Sequence, residues 1–314
     1  MIVIVCPGQG SQTPGFLSPW LELPGLRDQL TALSDAAEVD LVTHGTTSDE
    51  DTIKDTAVAQ PLLVGAGLLA LRALTGGTGD GGYAAAPAGT GALAGHSVGE
   101  ITAAAAAGVL TETDAMRFVA QRGRAMAQAS AATPTGMSAV LGGDPDEVLA
   151  SIARHDLTPA NVNGAGQVVA AGSLEALAAF AADPPTRARV IPLKVAGAFH
   201  THFMQPAVGE LRADWSDHDV SDPGVTLLSN RDGAVVSDGR EVLDRLVAQV
   251  SNPVRWDLCM ERFTDLGVTA IIELPPAGTL VGLAKRALKG VELLALKTPD
   301  DLDTARTLIK EHSA

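Results

Sequence analysis

A chain of 314 residues with 46% hydrophobic residues can form one large domain with an insertion and a sizeable core. Aromatic residues make up only 3%, so the apolar weight falls on Ala, Val and Leu, which suits helices packed on a parallel sheet. A net charge of −15 argues against binding to nucleic acid, whose phosphates need a basic surface. Two cysteines, Cys6 and Cys259, give neither a disulfide framework nor a metal-ligand spacing, so a reducing cytoplasm and no metal are expected.

The first part of the chain alternates between strand and helix patterns. No run of roughly 18 uncharged apolar residues is present, so no membrane span is predicted. The apolar start, without a basic segment, is interpreted as a buried strand and not as a signal peptide. The predicted elements are a strand over 2–6, a loop over 8–12, a helix over 58–74, a surface loop over 75–90, a strand over 92–94, and helices over 98–108 and from Thr111 to about Ser130.

The pattern of predicted elements changes over residues 133–196. The predicted elements are a strand over 137–141, a helix over 145–153, strands over 161–163 and 168–171, a helix over 174–181 and a strand over 188–193. That βαββαβ order is typical of the ferredoxin-like split motif. We therefore expect an inserted ferredoxin-like domain over 133–196.

Residues 1–132 and 197–314 would then form the large catalytic domain. Its second half is predicted to contain helices over 202–215, 253–266 and 277–288, strands over 268–274 and 291–295, and a closing helix. Alternation of strands and helices predicts a mostly parallel sheet covered on both faces. The fold class expected for this domain is α/β, and specifically α/β-hydrolase-like.

The strongest chemical signal is Gly95-His-Ser-Val-Gly99, which fits the G-x-S-x-G pattern. A strand is predicted before it and a helix after it, as the pattern requires. Such a turn lifts the hydroxyl of Ser97 above the edge of the sheet, and the helix start directs backbone N–H groups at developing negative charge.

A serine nucleophile needs a base, and the chain has seven histidines. Four of them lie in polar surroundings or near the C-terminus and are interpreted as surface residues: His44, His155, His218 and His312. His96 lies in the serine turn but points the other way along the chain, so we expect it to line the pocket. The spacing leaves His200 and His202 as equal candidates, in a loop at the junction with the insertion.

Four separated motifs give the chain a family resemblance. They are Pro7-Gly-Gln-Gly-Ser-Gln12, Gly95-His-Ser-Val-Gly-Glu100, Gln121-Arg-Gly123 and Ala198-Phe-His200, and a fifth runs from Gln249 through Asn252-Pro-Val-Arg-Trp256. In their order the chain resembles the malonyl-CoA:acyl carrier protein transacylases, relatives of polyketide synthase acyltransferase domains. The resemblance spans nearly the whole chain.

The resemblance implies a role for each matching position. Ser97 would be the nucleophile, His200 its base and then the acid for the departing thiolate. The backbone carbonyl of Gln249 would orient the imidazole in place of a carboxylate. The N–H groups of Gln9 and Val98 would form the oxyanion hole.

Further positions concern the substrate. The resemblance implies that Arg122 binds the free carboxylate of malonate, for which a planar guanidinium is well suited. It also implies that Phe199 excludes a branch at the α-carbon, favouring malonyl over methylmalonyl, although Gly197 departs from the usual His-Ala-Phe-His. Asn161 is interpreted either as a contact of the thioester arm or as a turn residue.

The expected reaction is malonyl transfer from malonyl-CoA through Ser97 to the phosphopantetheine thiol of an acyl carrier protein, without a cofactor, on a monomer. A polyketide synthase is an alternative recipient, and a serine thioesterase or esterase is an alternative class of enzyme. Because carrier proteins are themselves acidic, a local basic patch is needed for docking. Two clusters are candidates: Lys285, Arg286 and Lys289, or Arg187, Arg189 and Lys194.

Overall fold

The strands of this protein are divided between two sheets. The computed structural model describes residues 1–76 and 85–313. Within them the strands are β1 (Ile2–Cys6), β2 (Thr90–Gly95), β3 (Thr135–Gly142), β4 (Thr158–Gly164), β5 (Gln167–Ser173), β6 (Ala188–Pro192), β7 (Thr226–Leu228), β8 (Val235–Val236), β9 (Val254–Arg255), β10 (Ala270–Glu273) and β11 (Glu292–Ala295).

The helices of the described residues surround these sheets. They are α1 (Leu26–Ala37), α2 (Leu41–Thr46), α3 (Glu50–Lys54), α4 (Thr56–Thr75), α5 (Gly99–Ala106), α6 (Glu112–Ala132), α7 (Pro145–Arg154), α8 (Leu174–Ala182), α9 (Gln205–Trp215), α10 (Gly239–Gln249), α11 (Trp256–Asp265), α12 (Thr279–Ala287) and α13 (Leu302–His312). Single 3-10 turns occur at Trp20–Glu22, His202–Met204 and Pro299–Asp301.

The larger sheet has the order β11-β10-β1-β2-β7-β8. All its pairings are parallel except β7 with β8, which is antiparallel. All five residues of β1 are buried, as expected for a central strand covered on both faces. The predicted α/β class is confirmed. The carboxyl ends of β1 and β2 meet at one edge, where ligands bind in sheets of this kind.

The smaller sheet has the order β6-β3-β5-β4-β9. Strands β3, β4, β5 and β6 pair antiparallel and come from one continuous stretch of the chain. The fifth strand, β9, pairs parallel with β4 through Asn161↔Val254 and Val162↔Arg255. This pairing ties the stretch to a distant part of the chain.

Helix α4 occupies the centre of the apolar core. By length and composition it is the one helix among the described residues that could cross a membrane, although no such span was predicted from the sequence. Within its most apolar window, however, 83% of the residues are buried inside the fold. Its apolar surface is covered by its neighbours, mainly α6, as in the core helix of a globular domain.

Most predicted elements are found within a few residues of their expected bounds. Thr111 caps α6, since its hydroxyl accepts from the Asp114 N–H at 3.0 Å. The helix predicted over 253–266 was wrong at its start, because Val254 and Arg255 pair with β4 and α11 begins at Trp256. The helix predicted over 202–215 begins as a 3-10 turn. Residues 77–84 of the predicted loop over 75–90 lie outside the described residues.

Candidate active site

The serine turn lies between β2 and α5, as its pattern required. Ser97 has a φ of 53°, a left-handed backbone that a non-glycine residue seldom adopts. The flanking glycines allow the tight crossing. A Cβ on Gly95 would lie 2.0 Å from the Gly99 carbonyl carbon, and one on Gly99 would lie 2.1 Å from the Cys6 oxygen. Gly95 therefore lets β2 and α5 meet, and Gly99 lets α5 approach the end of β1, with the hydroxyl at the edge of the sheet.

The structure brings His200, rather than His202, to the serine. Ser97 Oγ lies 2.7 Å from His200 Nε2, and His200 Nδ1 lies 2.9 Å from the Gln249 carbonyl oxygen. Because a carbonyl only accepts, Nδ1 carries the proton and Nε2 is left to accept from the hydroxyl. His202 is exposed in the following 3-10 turn. The choice that the spacing left open is decided by this geometry.

The His200 imidazole is uncharged in this environment. It is buried, and burial together with the nearby charge of Arg122 lowers its pKa to about 3. The imidazole is therefore neutral at pH 7 and free to take a proton from Ser97. Its backbone is also left-handed, with a φ of 62°.

Two residues that line the same cleft as Ser97 have backbone N–H groups without a protein acceptor in the described part of the chain. These residues are Gln9, in the loop after β1, and Val98, just before α5. Within residues 1–76 and 85–313 neither N–H donates to a protein acceptor. The Gln9 loop is held in place because the Gln9 side-chain amide donates to the Lys54 carbonyl at 3.0 Å. Two fixed, unused donors beside a nucleophile can stabilise an oxyanion.

Arg122 is a buried cation at the floor of the cleft. It is 1% exposed, whereas Arg124 on the same helix is exposed. Its Nη2 lies 3.4 Å from Ser97 Oγ. No carboxylate within the described residues forms an ion pair with it. Burial lowers its pKa to about 10, so it remains charged at pH 7 and can bind an anion.

The guanidinium is aimed by two glutamine side chains. Arg122 Nη1 donates to Gln60 Oε1, and Nη2 donates to Gln249 Oε1 at 2.9 Å. The Gln60 contact depends on close packing of α4 and α6, since a Cβ on Gly123 would lie 3.0 Å from the Thr56 oxygen. The glycine of the Gln121-Arg-Gly123 motif thus permits the approach of the helix that carries Gln60.

Sequence reasoning assigned no role to Glu100, Gln60 or Asn230. Glu100 is buried at the start of α5 and accepts from the Asn230 N–H and the Gln249 side chain. Asn230 Oδ1 accepts from the Ser97 N–H at 2.8 Å. Glu100 lies in the Gly95-His-Ser-Val-Gly-Glu100 motif, so the sequence held a signal for it. Gln60 and Asn230 lie far along the chain from the serine turn, in segments without a local pattern.

The remaining predicted site residues line one cleft of about 380 Å³ together with the serine. Phe199 is 8% exposed there, and the departure at Gly197 has a packing reason, because a Cβ would lie 2.5 Å from Ser130 Oγ. His96 Nε2 lies 2.8 Å from Asn163 Oδ1, so it is engaged away from the serine. Asn161 is buried in β4 and faces the cleft, and it is therefore a strand residue rather than a turn residue.

The other histidines are not brought to this cleft. His44, His155, His218 and His312 lie elsewhere on the fold, with polar partners of their own. Cys6 and Cys259 are buried core residues, and burial raises the pKa of both thiols. Within the part of the chain that the structure describes, no cluster of His, Cys, Asp and Glu could hold a metal ion.

The fold is α/β, with a serine at a strand-to-helix turn. A neutral histidine lies against the serine and a fixed cation lies beside it. These features define a class of protein suited to serine-mediated acyl chemistry. Residues 3–311 match the acyl transferase domain family. The malonyl CoA-acyl carrier protein transacylase of Mycobacterium tuberculosis (strain ATCC 25618 / H37Rv) is 53% identical over 309 residues, covering 98% of this chain and 100% of that protein.

Solved structures agree with the sequence match. The crystal structure of MCAT from Mycobacterium tuberculosis has a TM-score of 0.90 at 52% identity, covering 98% of this chain and 99% of that one. A malonyl-transacylase in complex with a type II PKS acyl-carrier protein has a TM-score of 0.87 at 29% identity, over 98% and 99% of the two chains. The chain belongs to the acyl transferase family, among the malonyl CoA-acyl carrier protein transacylases.

Proposed function

We propose that this protein transfers a malonyl group from malonyl-CoA to the phosphopantetheine thiol of an acyl carrier protein, in fatty acid biosynthesis. The relatives are malonyl CoA-acyl carrier protein transacylases over nearly their full length. The observation that carries the proposal is the buried guanidinium of Arg122 beside Ser97 Oγ. A serine ester needs no such cation, whereas an acyl group ending in a carboxylate does.

In the first half-reaction, Ser97 attacks the thioester carbonyl of malonyl-CoA while His200 Nε2 takes the hydroxyl proton. The carbonyl oxygen becomes an oxyanion that accepts from the N–H groups of Gln9 and Val98. The carbon–sulfur bond then breaks, and His200 returns the proton to the departing thiolate. Malonyl-serine and coenzyme A with a free thiol result. Arg122 holds the malonyl carboxylate throughout.

In the second half-reaction, the carrier thiol gives its proton to His200 and attacks the serine ester. The carbon–oxygen bond to Ser97 breaks, and the serine recovers its proton from the imidazolium. The Gln249 carbonyl keeps Nδ1 protonated in both halves. Every group in these steps is supplied by the chain or by its substrates, so we propose that no metal or redox cofactor takes part.

Mixing the protein with malonyl-CoA in the absence of any carrier is expected to leave one malonyl group on Ser97. Intact-protein mass spectrometry would measure the adduct, and peptide mapping would assign its position. Ser97→Ala should show no adduct under the same conditions. An unchanged mass of the unaltered protein would contradict the covalent route.

Phe199 is proposed to set selectivity at the α-carbon, because its ring lines the cleft beside the base. Phe199→Ser is expected to raise methylmalonyl transfer relative to malonyl transfer by about tenfold, the scale of one or two methylene-sized contacts in an apolar pocket. Competition between the two coenzyme A esters measures the ratio. A ratio equal to that of the unaltered protein would show that the ring does not exclude the branch.

Two alternatives differ in the acyl acceptor. A polyketide synthase carrier as recipient is favoured by the similar transacylase that was solved with such a carrier, and competition between carriers tests it. A thioesterase or esterase would pass the acyl group to water. Two observations argue against a thioesterase or esterase. The imidazole is oriented by a carbonyl rather than a carboxylate, and Arg122 lies where it can bind an acidic acyl group.

We also propose the domain organisation given by the sequence, with an inserted ferredoxin-like domain over 133–196. The β6-β3-β5-β4 order and the βαββαβ chain order support it. For the remainder, 1–132 and 197–314, an α/β-hydrolase-like description is proposed on the serine turn.

The proposed carrier docks at the mouth of the cleft. Lys194 lines it, and Arg286 contacts Gln167 there at 3.4 Å, so one residue of each predicted cluster supports a local basic patch on an acidic protein. Lys54 also lines the cleft but is paired with Glu50. A monomer is proposed because one chain supplies every group of the site. A cytoplasmic location is proposed from its two unpaired, buried cysteines.

A further inference from the structure

Glu100 is a buried carboxyl that takes no part in the steps proposed above. It lies in the first turn of α5, three residues after the nucleophile, and is 6% exposed. Both of its oxygens accept hydrogen bonds: Oε1 from the Asn230 N–H at 2.6 Å and Oε2 from Gln249 Nε2. A buried carboxyl is costly unless its partners compensate it, so a function for this one is worth seeking.

The two partners of Glu100 lead to the two halves of the site. Asn230 accepts from the Ser97 N–H at 2.8 Å and donates to the Gly95 carbonyl at 2.6 Å, which supports the serine turn. Gln249 donates to the Ser97 carbonyl at 3.2 Å, and its side-chain oxygen accepts from Arg122 Nη2 at 2.9 Å.

We infer that Glu100 is a positioning residue that acts through the Gln249 amide to aim Arg122 at the acyl carboxylate. The inference rests on the proposed function and adds to it the residue that sets the preference for an acidic acyl group. Glu100 does not touch the substrate in this account. It fixes which end of an amide faces the guanidinium.

The physical reason is the two-ended character of a glutamine side chain. An amide has an acceptor oxygen and a donor nitrogen of nearly equal size, so packing alone cannot choose between its two orientations. Two acceptors, Glu100 and the Ser97 carbonyl, face the Gln249 nitrogen. They turn its oxygen towards Arg122. In the opposite orientation the amide nitrogen would face a guanidinium that only donates.

Charge acts in the same direction as the hydrogen bonds. Burial raises the pKa of the Glu100 carboxyl, while the hydrogen bonds from Asn230 and Gln249 and the charge of Arg122 lower it. An N–H donor faces each of the two oxygens, so the carboxyl is ionised in this arrangement. Within the described residues Arg122 contacts no carboxylate and donates instead to the neutral amides of Gln60 and Gln249, so its charge is left for the substrate. Glu100 thus stabilises the positive charge of Arg122 without forming a direct ion pair with it.

The test is Glu100→Gln, which keeps the shape but presents one oxygen and one NH2 group to two donors. Either Asn230 loses its acceptor or Gln249 turns and faces Arg122 with its nitrogen. We expect kcat/KM for malonyl-CoA to fall about tenfold relative to that for acetyl-CoA, the scale of one hydrogen bond to a charged group. A ratio unchanged from the unaltered protein would overturn the inference.

Glu273→Gln is the matched control. Glu273 is also fully buried, and it accepts from the N–H groups of Gly278, Leu280 and Val281 at the start of α12, which lines the cleft. It has no link to Arg122. We expect this variant to be less stable but to keep the malonyl-to-acetyl ratio. An equal fall of that ratio in both variants would mean that the effect is general.

A second variant covers the case in which Glu100→Gln does not fold. Combining Glu100→Gln with Gln249→Glu restores a donor facing an acceptor at each contact from Asn230 to Arg122. The hydrogen bond from residue 249 to the Ser97 carbonyl is lost, but the three contacts of the link regain matched partners, so the unfolding midpoint should exceed that of Glu100→Gln alone. No recovery would overturn the inferred link. If the unaltered protein formed no malonyl-serine adduct, the proposed function itself would be contradicted. Failure of the inference and failure of the proposed function are therefore distinguishable.

Discussion

Arg122→Ala is expected to lower kcat/KM for malonyl-CoA by about 100- to 10,000-fold. Two charge-assisted hydrogen bonds to the acyl carboxylate would be lost, each worth about 1.5–3 kcal/mol in a buried site. Acetyl-CoA has no carboxylate to bind, so its transfer should be retained or raised. The measurement is the rate of acyl-serine formation from each ester by quenched-flow mass spectrometry.

Arg124→Ala is the control for this prediction, because the same residue type is replaced on the same helix but at an exposed position. It should leave both rates near those of the unaltered protein. If Arg122→Ala reduced acetyl and malonyl transfer by the same factor, the arginine would be supporting the serine rather than binding a carboxylate.

His200→Ala is expected to slow formation of the malonyl-serine ester by about 1,000-fold. A positioned general base contributes about 100- to 10,000-fold, and His200 Nε2 is the base nearest to Ser97 Oγ, at 2.7 Å. Binding of malonyl-CoA should be little changed, because the carboxylate contact is made elsewhere. Single-turnover rates and a separate binding titration distinguish the two effects.

His202→Ala offers a comparison within the same loop, since that residue is exposed and is not among the residues that line the cleft. Its single-turnover rate should equal that of the unaltered protein. A larger loss from His202→Ala than from His200→Ala would reverse the assignment of the base.

Patterns within one segment made the fold largely predictable. Strand β1, the elements from α4 to α6 and the βαββαβ run from β3 to β6 depend on local periodicity and were found close to their expected bounds. Strands β7 and β8 were not predicted. Strand β9 was missed because two residues carry no period, and only pairing with β4 makes Val254 and Arg255 a strand. Helices α1 to α3 and α10 were not assigned.

The site divides in the same way. Ser97 follows from a five-residue motif with a physical reason for each glycine, whereas spacing could not choose between His200 and His202. That choice needs the Gln249 carbonyl, which lies in a distant helix. The contacts of Glu100 with Gln249 and Asn230 join residues more than a hundred positions apart. No sequence pattern near any of these residues indicates such a contact.

The left-handed backbone at Ser97 and at His200 limits how this protein can adapt to heat. Such a conformation costs a non-glycine residue about 1–3 kcal/mol, and glycine would adopt it with little penalty. Selection for stability alone would therefore favour replacing the two residues that are proposed to react. Thermal adaptation that preserves turnover must instead come from substitutions elsewhere in the fold. Ser97 and His200 should therefore remain unchanged while the residues around them are replaced.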